Sequence, residues 1–368
     1  MITKFLLALL AVSSGFSSIA HAYPENVRHG YVNCTSCHVS PMGGGTLTPY
    51  GRALSSELVS TWSYKGEEGF LHGLIKEDKM PEWLMIGGDL RSVQTLKNTP
   101  AATEAKYIPM VEDIEAAVKV KKFTVDLEFG KIEEPDHARF GSRRYFAMYN
   151  ITDEVTARVG RFYPQFGLYI PDHYVPTRRG LGFDEGQERN SGEVAWNGEN
   201  YSAFLTVSQT PGEFDPSQRE TGYAAQVNKN LGESSKVGAS LWYGTSDQSN
   251  REIAAVHGIL GFSKKLFLLS EFDHQWMTVK ASDSGQRGLY AYNRLGYELV
   301  KGLILFGQAE YGQGNLSAGN TAGDAYGPGV QFFPRPHFEF MGLWRKMRTR
   351  AQGADFYDYA FLMAHYYW

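Results

Sequence analysis

Cysteine occurs at two positions only, Cys34 and Cys37, three apart in "NCTSCHVSP" (Asn33 to Pro41), with His38 directly behind them. Few chemistries use that spacing. In a C-x-x-C-H run the two thiols add across the two vinyl groups of one porphyrin, and the adjoining imidazole reaches the iron. The competing reading is a redox-active C-x-x-C with a chance histidine, but no thioredoxin-like βαβ pattern surrounds it. Zinc would require about four ligands, and no second close Cys/His pair is present downstream. The motif therefore predicts one covalently attached haem c, with Cys34 and Cys37 as its attachment points and His38 as the proximal ligand.

The flanking residues must position that group. In "PMGGG" three glycines, Gly43 to Gly45, let backbone lie close to a flat ring. In "TLTPYGRALSSELVSTW", Thr48 as N-cap and Pro49 at the first position predict a helix running to Trp62. Arg52 on that helix is a candidate propionate partner, or a solvated helix arginine. A second helix is expected over "GEEGFLHGLIKEDK", where Phe70, Leu71, Leu74 and Ile75 share a face and His72 falls off it. The sixth iron ligand stays open among Met80, His72, His29 and Met42. Met80 is preferred because it lies far enough from His38 to fold over the distal face, and an open iron position is the other alternative.

The first residues, "MITKFLLALLAVSSGFSSIAHA", carry one lysine, an apolar run from Phe5 to Val12 and the small-x-small ending Ala20-His21-Ala22. They read as a secretory signal spanning 1–22, cleaved before Tyr23. Residues 23–81 then form the haem segment, few for an independent core, so it is expected to dock on or inside the rest of the chain, with the haem as a staple.

No later stretch approaches the roughly 18 apolar residues of a transmembrane helix, so membrane crossing would have to use strands. A mean hydropathy of -0.35 is compatible with that, since barrel strands face lipid with alternate residues only. The 22 Tyr, 22 Phe and 40 Gly in 368 residues suit aromatic-bounded strands better than a helical enzyme. A formal net charge of -4 without a basic run gives no indication of nucleic acid.

From Glu82 the polarity alternates in short segments. In "KFTVDLEFG", Phe123, Val125, Leu127 and Phe129 point one way and Thr124, Asp126 and Glu128 the other; "SKVGASLWYG" repeats the pattern. About sixteen strands are expected, at 83–97, 107–120, 122–133, 143–151, 154–164, 191–198, 201–210, 220–229, 234–246, 252–263, 266–279, 286–299, 302–314, 324–334, 337–349 and 355–368. Their connections alternate tight and long. That is the pattern of an all-β, antiparallel outer-membrane barrel over 82–368, with short turns toward the periplasm and both termini on that side.

In "AFLMAHYYW" the positions Ala360, Leu362, Ala364 and Tyr366 form an apolar stripe. The terminal aromatic Trp368 resembles the signal read by the outer-membrane barrel assembly machinery. The opposite face, Tyr359, Phe361 and Met363, is less polar than a lumen requires, which fits either contact with the haem segment or an imperfect strand. The longest connection, "PQFGLYIPDHYVPTRRGLGFDEGQERN", carries Asp172, His173, Arg178 and Arg179. Folded inward it would line and narrow the pore; otherwise it is a solvated external loop.

The haem motif followed by "LTPYGRAL" and then a barrel is similar to the fused outer-membrane cytochrome-porins of iron-oxidising bacteria. Over Gly30 to Leu54, Cys34, Cys37, His38, Pro49, Gly51 and Arg52 fall on matching positions, and Met42 to Gly45 depart as an insertion. "GRFYPQFGLYIPDH…TRRGLGF", Gly160 to Phe183, resembles phosphate-selective-type porins instead. The first resemblance implies an electron conduit between an extracellular donor or acceptor, with iron as one candidate, and a periplasmic carrier. Two other functions compete: a small-anion porin whose haem segment is a plug or sensor, and a haem peroxidase using His29 or His72 as its distal acid-base group. The partners expected are outer-membrane lipid, the two electron-transfer partners and further copies of the chain, since such barrels are often trimers.

Overall fold

The structure, a computed structural model, describes residues 24–75, 79–133, 138–172, 174–215, 219–352 and 355–368. The predicted leader, Tyr23 and His173 lie outside the described residues.

Period-two alternation produces strands from Leu84 onward. They are β1 (Leu84–Asn98), β2 (Thr103–Val120), β3 (Phe123–Glu133), β4 (Tyr145–Asn150), β5 (Val155–Phe162), β6 (Arg189–Asn197), β7 (Tyr201–Gln209) and β8 (Thr221–Leu231). The second half comprises β9 (Ser235–Thr245), β10 (Ser249–Gly261), β11 (Leu266–Val279), β12 (Ser284–Val300), β13 (Leu303–Gln313), β14 (Ala322–Phe332), β15 (Phe338–Thr349) and β16 (Tyr357–Tyr367). A four-residue segment, Ala138–Gly141, pairs with β3 just beyond β4. Each strand pairs antiparallel with its sequence neighbour, and β1 pairs with β16 from Asp89↔Tyr367 to Asn98↔Asp358. The sheet thereby closes as a 16-stranded barrel without free edges.

Which residues face outward decides what surrounds the barrel. On β3 the apolar Phe123, Val125, Leu127 and Phe129 are exposed, whereas Thr124, Asp126 and Glu128 are buried. A water-soluble sandwich would show the reverse. The same inversion puts Leu241, Val256, Leu295 and Leu362 outside and Ser240, His257, Arg294 and His365 inside, so the outer surface is built for lipid and the lumen is polar. Among the described residues no helix is long and apolar enough to cross a membrane; the strands do so.

Connections alternate as the sequence implies. One end has tight links such as 121–122 and 301–302, where Lys121 and Gly302 take positive φ; the other carries the longer ones. Strand limits differ from expectation by a few residues at most, and β11 coincides with 266–279.

The N-terminal segment departs from its predicted helices. Thr48 does cap a helix, its Oγ1 accepting from the Gly51 amide at 3.0 Å, but α1 spans only Pro49–Leu54 and widens into a π-turn over Ser55–Val59. Lys301 Nζ donates to the carbonyls of Ser56 and Glu57, and the Thr61 amide donates to Phe333, so barrel contacts take over before Trp62. The second predicted helix reduces to Phe70–Gly73, with Leu71 and His72 in the left-handed region. Gly66 and Gly73 both take positive φ, and a Cβ on Gly73 would lie 2.3 Å from the Gly66 carbonyl oxygen; this glycine-built reversal overrides the apolar stripe. Phe70 is buried, whereas Leu74 is 83% exposed. The segment is therefore mainly short turns around one short helix.

Candidate functional site

The N-terminal segment enters the barrel from the tight-turn end. Arg28 Nε donates to the Lys264 carbonyl at 2.8 Å and its Nη2 to Glu298 at 2.9 Å, fixing Pro24–His29 at that mouth. Val27 joins a core with Ile259, Phe267 and Tyr292 on the inner wall, and Val32 packs against it. Lys236 Nζ on β9 donates to the Val32 carbonyl at 2.8 Å. Further in, Thr46 Oγ1 donates to Glu115 (3.2 Å) and Asp126 (3.1 Å) on β2 and β3. Glu115 stands six residues before the Lys121 turn, or about 20 Å along the strand, so the motif loop lies well inside the lumen.

Local hydrogen bonds shape the motif. The amides of Cys37 and His38 both donate to the Cys34 carbonyl, the Thr48 amide donates to the Cys37 carbonyl, and the Thr48 hydroxyl donates to the Ser36 carbonyl. A Cβ on Gly51 would sit 2.3 Å from the Cys37 carbonyl oxygen, so only glycine lets α1 lie this close to the motif. Gly43, Gly44 and Gly45 all have positive φ; a Cβ on Gly44 would meet Tyr169 at 2.9 Å and one on Gly45 would meet Glu115 at 2.8 Å. The Met42–Gly45 stretch is thus what passes between the motif and the wall.

Cys34 and His38 line a cavity of about 290 Å³, together with Met42, Leu47 and inner-wall residues from β1, β2 and β8 to β10. His38 is 8% exposed, and among the described residues its ring nitrogens bond to no side chain, with only the backbone of Gly45 and Gly44 beside them. Burial pushes its pKa down to about 4, an effect partly offset by the adjacent backbone of Gly45 and Gly44. The imidazole is consequently neutral, the form that ligates metals. Cys37 packs beneath with Tyr31 and Leu54, and burial raises its thiol to about 12, with Cys34 adding to the shift. Burial raises Cys34 as well. Cys37 itself does not line the cavity; a buried imidazole and the Cys34 thiol on the cavity, the Cys37 thiol three residues on and a backbone cradle of three glycines fit a covalently held haem.

The other expected site residues are distributed unevenly. Arg52 is 3% exposed and stacks over Phe70 (5.9 Å), outside the cavity lining. Met80 is half-buried just before β1, His29 stands 3.9 Å from Glu298, and His72 stacks on Phe338 and Tyr366; none lines the cavity. Met42 does line it, with its Sδ accepting from Arg158 at 3.1 Å.

The long connection between β5 and β6 folds into the lumen and is not a solvated external loop. Leu168, Ile170 and Val175 share a core with Phe267, Leu269 and Tyr292, while Phe166, Leu181 and Phe183 pack with Trp242 and Ile253. Leu168 N donates to Glu271, and Asp172 accepts from Arg294 at 2.8 Å. Arg178 is buried over the rings of Tyr169 (5.3 Å) and Tyr163 (6.0 Å) and lines the cavity; Arg179 is exposed. The apolar inner face of β16 is explained by the same loop: Tyr174 packs edge-on against Phe361 at 5.5 Å. The N-terminal segment is not its partner there.

Two further wall histidines line the cavity, His257 on β10 and His365 on β16. Sequence reasoning passed over both. The available signal was a histidine on the inward parity of an alternating strand.

This architecture has solved counterparts. OmpT of Vibrio cholerae superposes with a TM-score of 0.61 at 10% identity, covering 78% of this chain and 99% of that one. The outer membrane channel DcaP of Acinetobacter baumannii (TM-score 0.57, 10% identity) covers 77% and 97%, and an anion-selective porin from Comamonas acidovorans (0.57, 9%) covers 77% and 99%. These likenesses establish a porin-type outer-membrane β-barrel fold. Leu84 to Tyr367 make up about the same share of this chain. No protein-family profile matches the chain, and no curated protein sequence does.

Proposed function

We propose that the chain is an outer-membrane electron conduit, passing electrons between an extracellular donor or acceptor, iron among the candidates, and a periplasmic carrier. The observation that carries this reading is the position of the motif: Cys34 and His38 open into a cavity walled by the barrel itself, instead of hanging below it. Hydrocarbon accepts no electrons, so a relay has to stand within the wall. A haem c bound here supplies a one-electron centre.

The chain's own residues would hold and tune it. Cys34 and Cys37 would fix it covalently, and His38, neutral through burial, would present a lone pair. Met42, Leu47, Leu168 and Ile170 give the cavity an apolar stretch of lining, and Arg178 rather than Arg52 offers a cation there for a propionate. The segment fills the lumen from the tight-turn end and the β5–β6 connection fills it from the other, which favours electron passage over bulk solute flow.

The test uses purified protein in liposomes, with a reduced dye sealed inside and a membrane-impermeant ferric chelate outside. Haem-dependent dye oxidation that disappears with His38→Ala, with low small-anion leakage in both proteins, is expected. Fast anion leakage without haem-dependent oxidation would refute the conduit and leave a porin with a haem-bearing plug, the reading closer to the anion-selective neighbour.

A further inference from the structure

Among the described residues three histidines line the lumenal cavity: His38, His257 and His365. Their hydrogen bonding separates them. His365 is held between two carboxylates, its Nε2 3.0 Å from Asp89 and its Nδ1 2.8 Å from Glu339, so both ring nitrogens are engaged. His257 is 8% exposed and its Nδ1 has no partner.

The opposite nitrogen of His257 is fixed by a chain of buried polar groups. Asn228 Nδ2 donates to Ser202 Oγ at 3.0 Å, which turns the Asn228 carbonyl oxygen toward His257 Nε2 at 2.8 Å. Gln226 Nε2 donates to the same Asn228 oxygen at 3.1 Å, and its own carbonyl accepts from Ser240 at 2.8 Å. The Gln226 amide nitrogen also lies 3.4 Å from His257 Nε2, but the Asn228 acceptor is closer at 2.8 Å, which favours the proton on Nε2 and a lone pair on the unpartnered Nδ1. One ring nitrogen hydrogen-bonded to the protein and the other left free is how proteins orient a metal-ligating histidine. Gly238, paired across from His257, makes room: a Cβ there would lie 2.4 Å from Nε2.

His257 also lines the same cavity as Cys34 and His38. On its strand it is two residues, about 7 Å, from Ile259, which packs with Val27 and Val32. Ile259 in turn pairs with Lys236, whose ammonium holds the Val32 carbonyl two residues before Cys34. Of the remaining lining groups, Lys236 is engaged at Val32, and Met42 belongs to the same loop as His38 with its sulfur occupied by Arg158.

We propose that His257, on the barrel wall, is the axial ligand opposite His38 for the iron of a haem carried by Cys34 and Cys37. This rests on the proposal that the motif holds a haem. It makes the ligand set one histidine from the plug and one from the wall, so iron ligation fastens the segment inside the barrel.

The experiment is optical and EPR spectroscopy of the full chain, expressed with a cytochrome c maturation system and purified from the outer membrane. Covalent haem is quantified on denaturing gels and barrel folding by heat-modifiable migration. The expected wild-type spectrum is low-spin in both oxidation states, with an EPR signature of two imidazoles and no prompt carbon monoxide binding. His257→Ala should keep its covalent haem yet become high-spin and bind carbon monoxide at once, and free imidazole should restore the low-spin form. His257→Gln, which retains a side chain able to bond Asn228, should behave likewise and serves if the alanine variant fails to fold. A low-spin spectrum unchanged in either folded variant, or prompt carbon monoxide binding by the wild type, would overturn the assignment while leaving the haem reading intact. Folded wild type without covalent haem would overturn both.

Discussion

Arg158 on β5 links the motif loop to the wall. Its guanidinium bonds Glu193 on β6 at 2.7 Å, donates to Ser40 Oγ at 3.0 Å and to Met42 Sδ at 3.1 Å, and stacks 3.9 Å over Phe162. The side chains of both charged partners are almost wholly buried, at 1% and 0% exposure. With charge centres about 4 Å apart and an effective dielectric near 20, their attraction is about 4 kcal/mol before desolvation is counted. Arg158→Met keeps most of the volume but strands the Glu193 carboxylate, which still accepts from the Thr206 hydroxyl at 2.9 Å. The expected cost is about 3–5 kcal/mol, the range for breaking a buried pair from one side. Making Glu193→Gln in the same chain removes the stranded charge and should return the cost to about 1–2 kcal/mol, the remainder being the lost Ser40 bond and packing. Reversible urea unfolding in detergent, followed by tryptophan fluorescence for the four members of the cycle, measures both quantities. If Arg158→Met costs no more than the double variant, within about 0.5 kcal/mol, the pair is not uncompensated burial and the reasoning fails.

Gly51→Ala should push α1 off the Cys37 backbone, costing about 1–3 kcal/mol through overpacking and, on the proposal that the motif holds a haem, lowering the fraction of folded barrels that carry it; an unchanged unfolding midpoint would contradict the close approach. Leu362→Arg, midway along β16 on the outer face and 60% exposed, should cost about 2–4 kcal/mol when folding into lipid vesicles is titrated with urea. An effect below about 1 kcal/mol would mean that this face does not meet hydrocarbon.

Much of this protein is legible locally. C-x-x-C-H is a statement about reach and reactivity within five residues, and period-two alternation sets strand positions within a few residues because each strand reports its own two faces. The Thr48 cap was equally readable, since it needs only the next three residues. The helix expected over 66–79 failed because glycine backbone geometry at Gly66 and Gly73 outweighed four apolar side chains, and the helix expected to reach Trp62 failed because barrel groups claimed its later carbonyls. The amino-acid sequence by itself therefore determined a haem-type motif, a 16-strand barrel and its lipid-facing parity. Only the tertiary structure decided that the β5–β6 connection fills the lumen, that Met80 and His72 stay away from the cavity, and that His257 shares it with His38. Those relations depend on register, closure and docking across a whole barrel, where each neighbour comes from a different strand and no local pattern encodes the pairing.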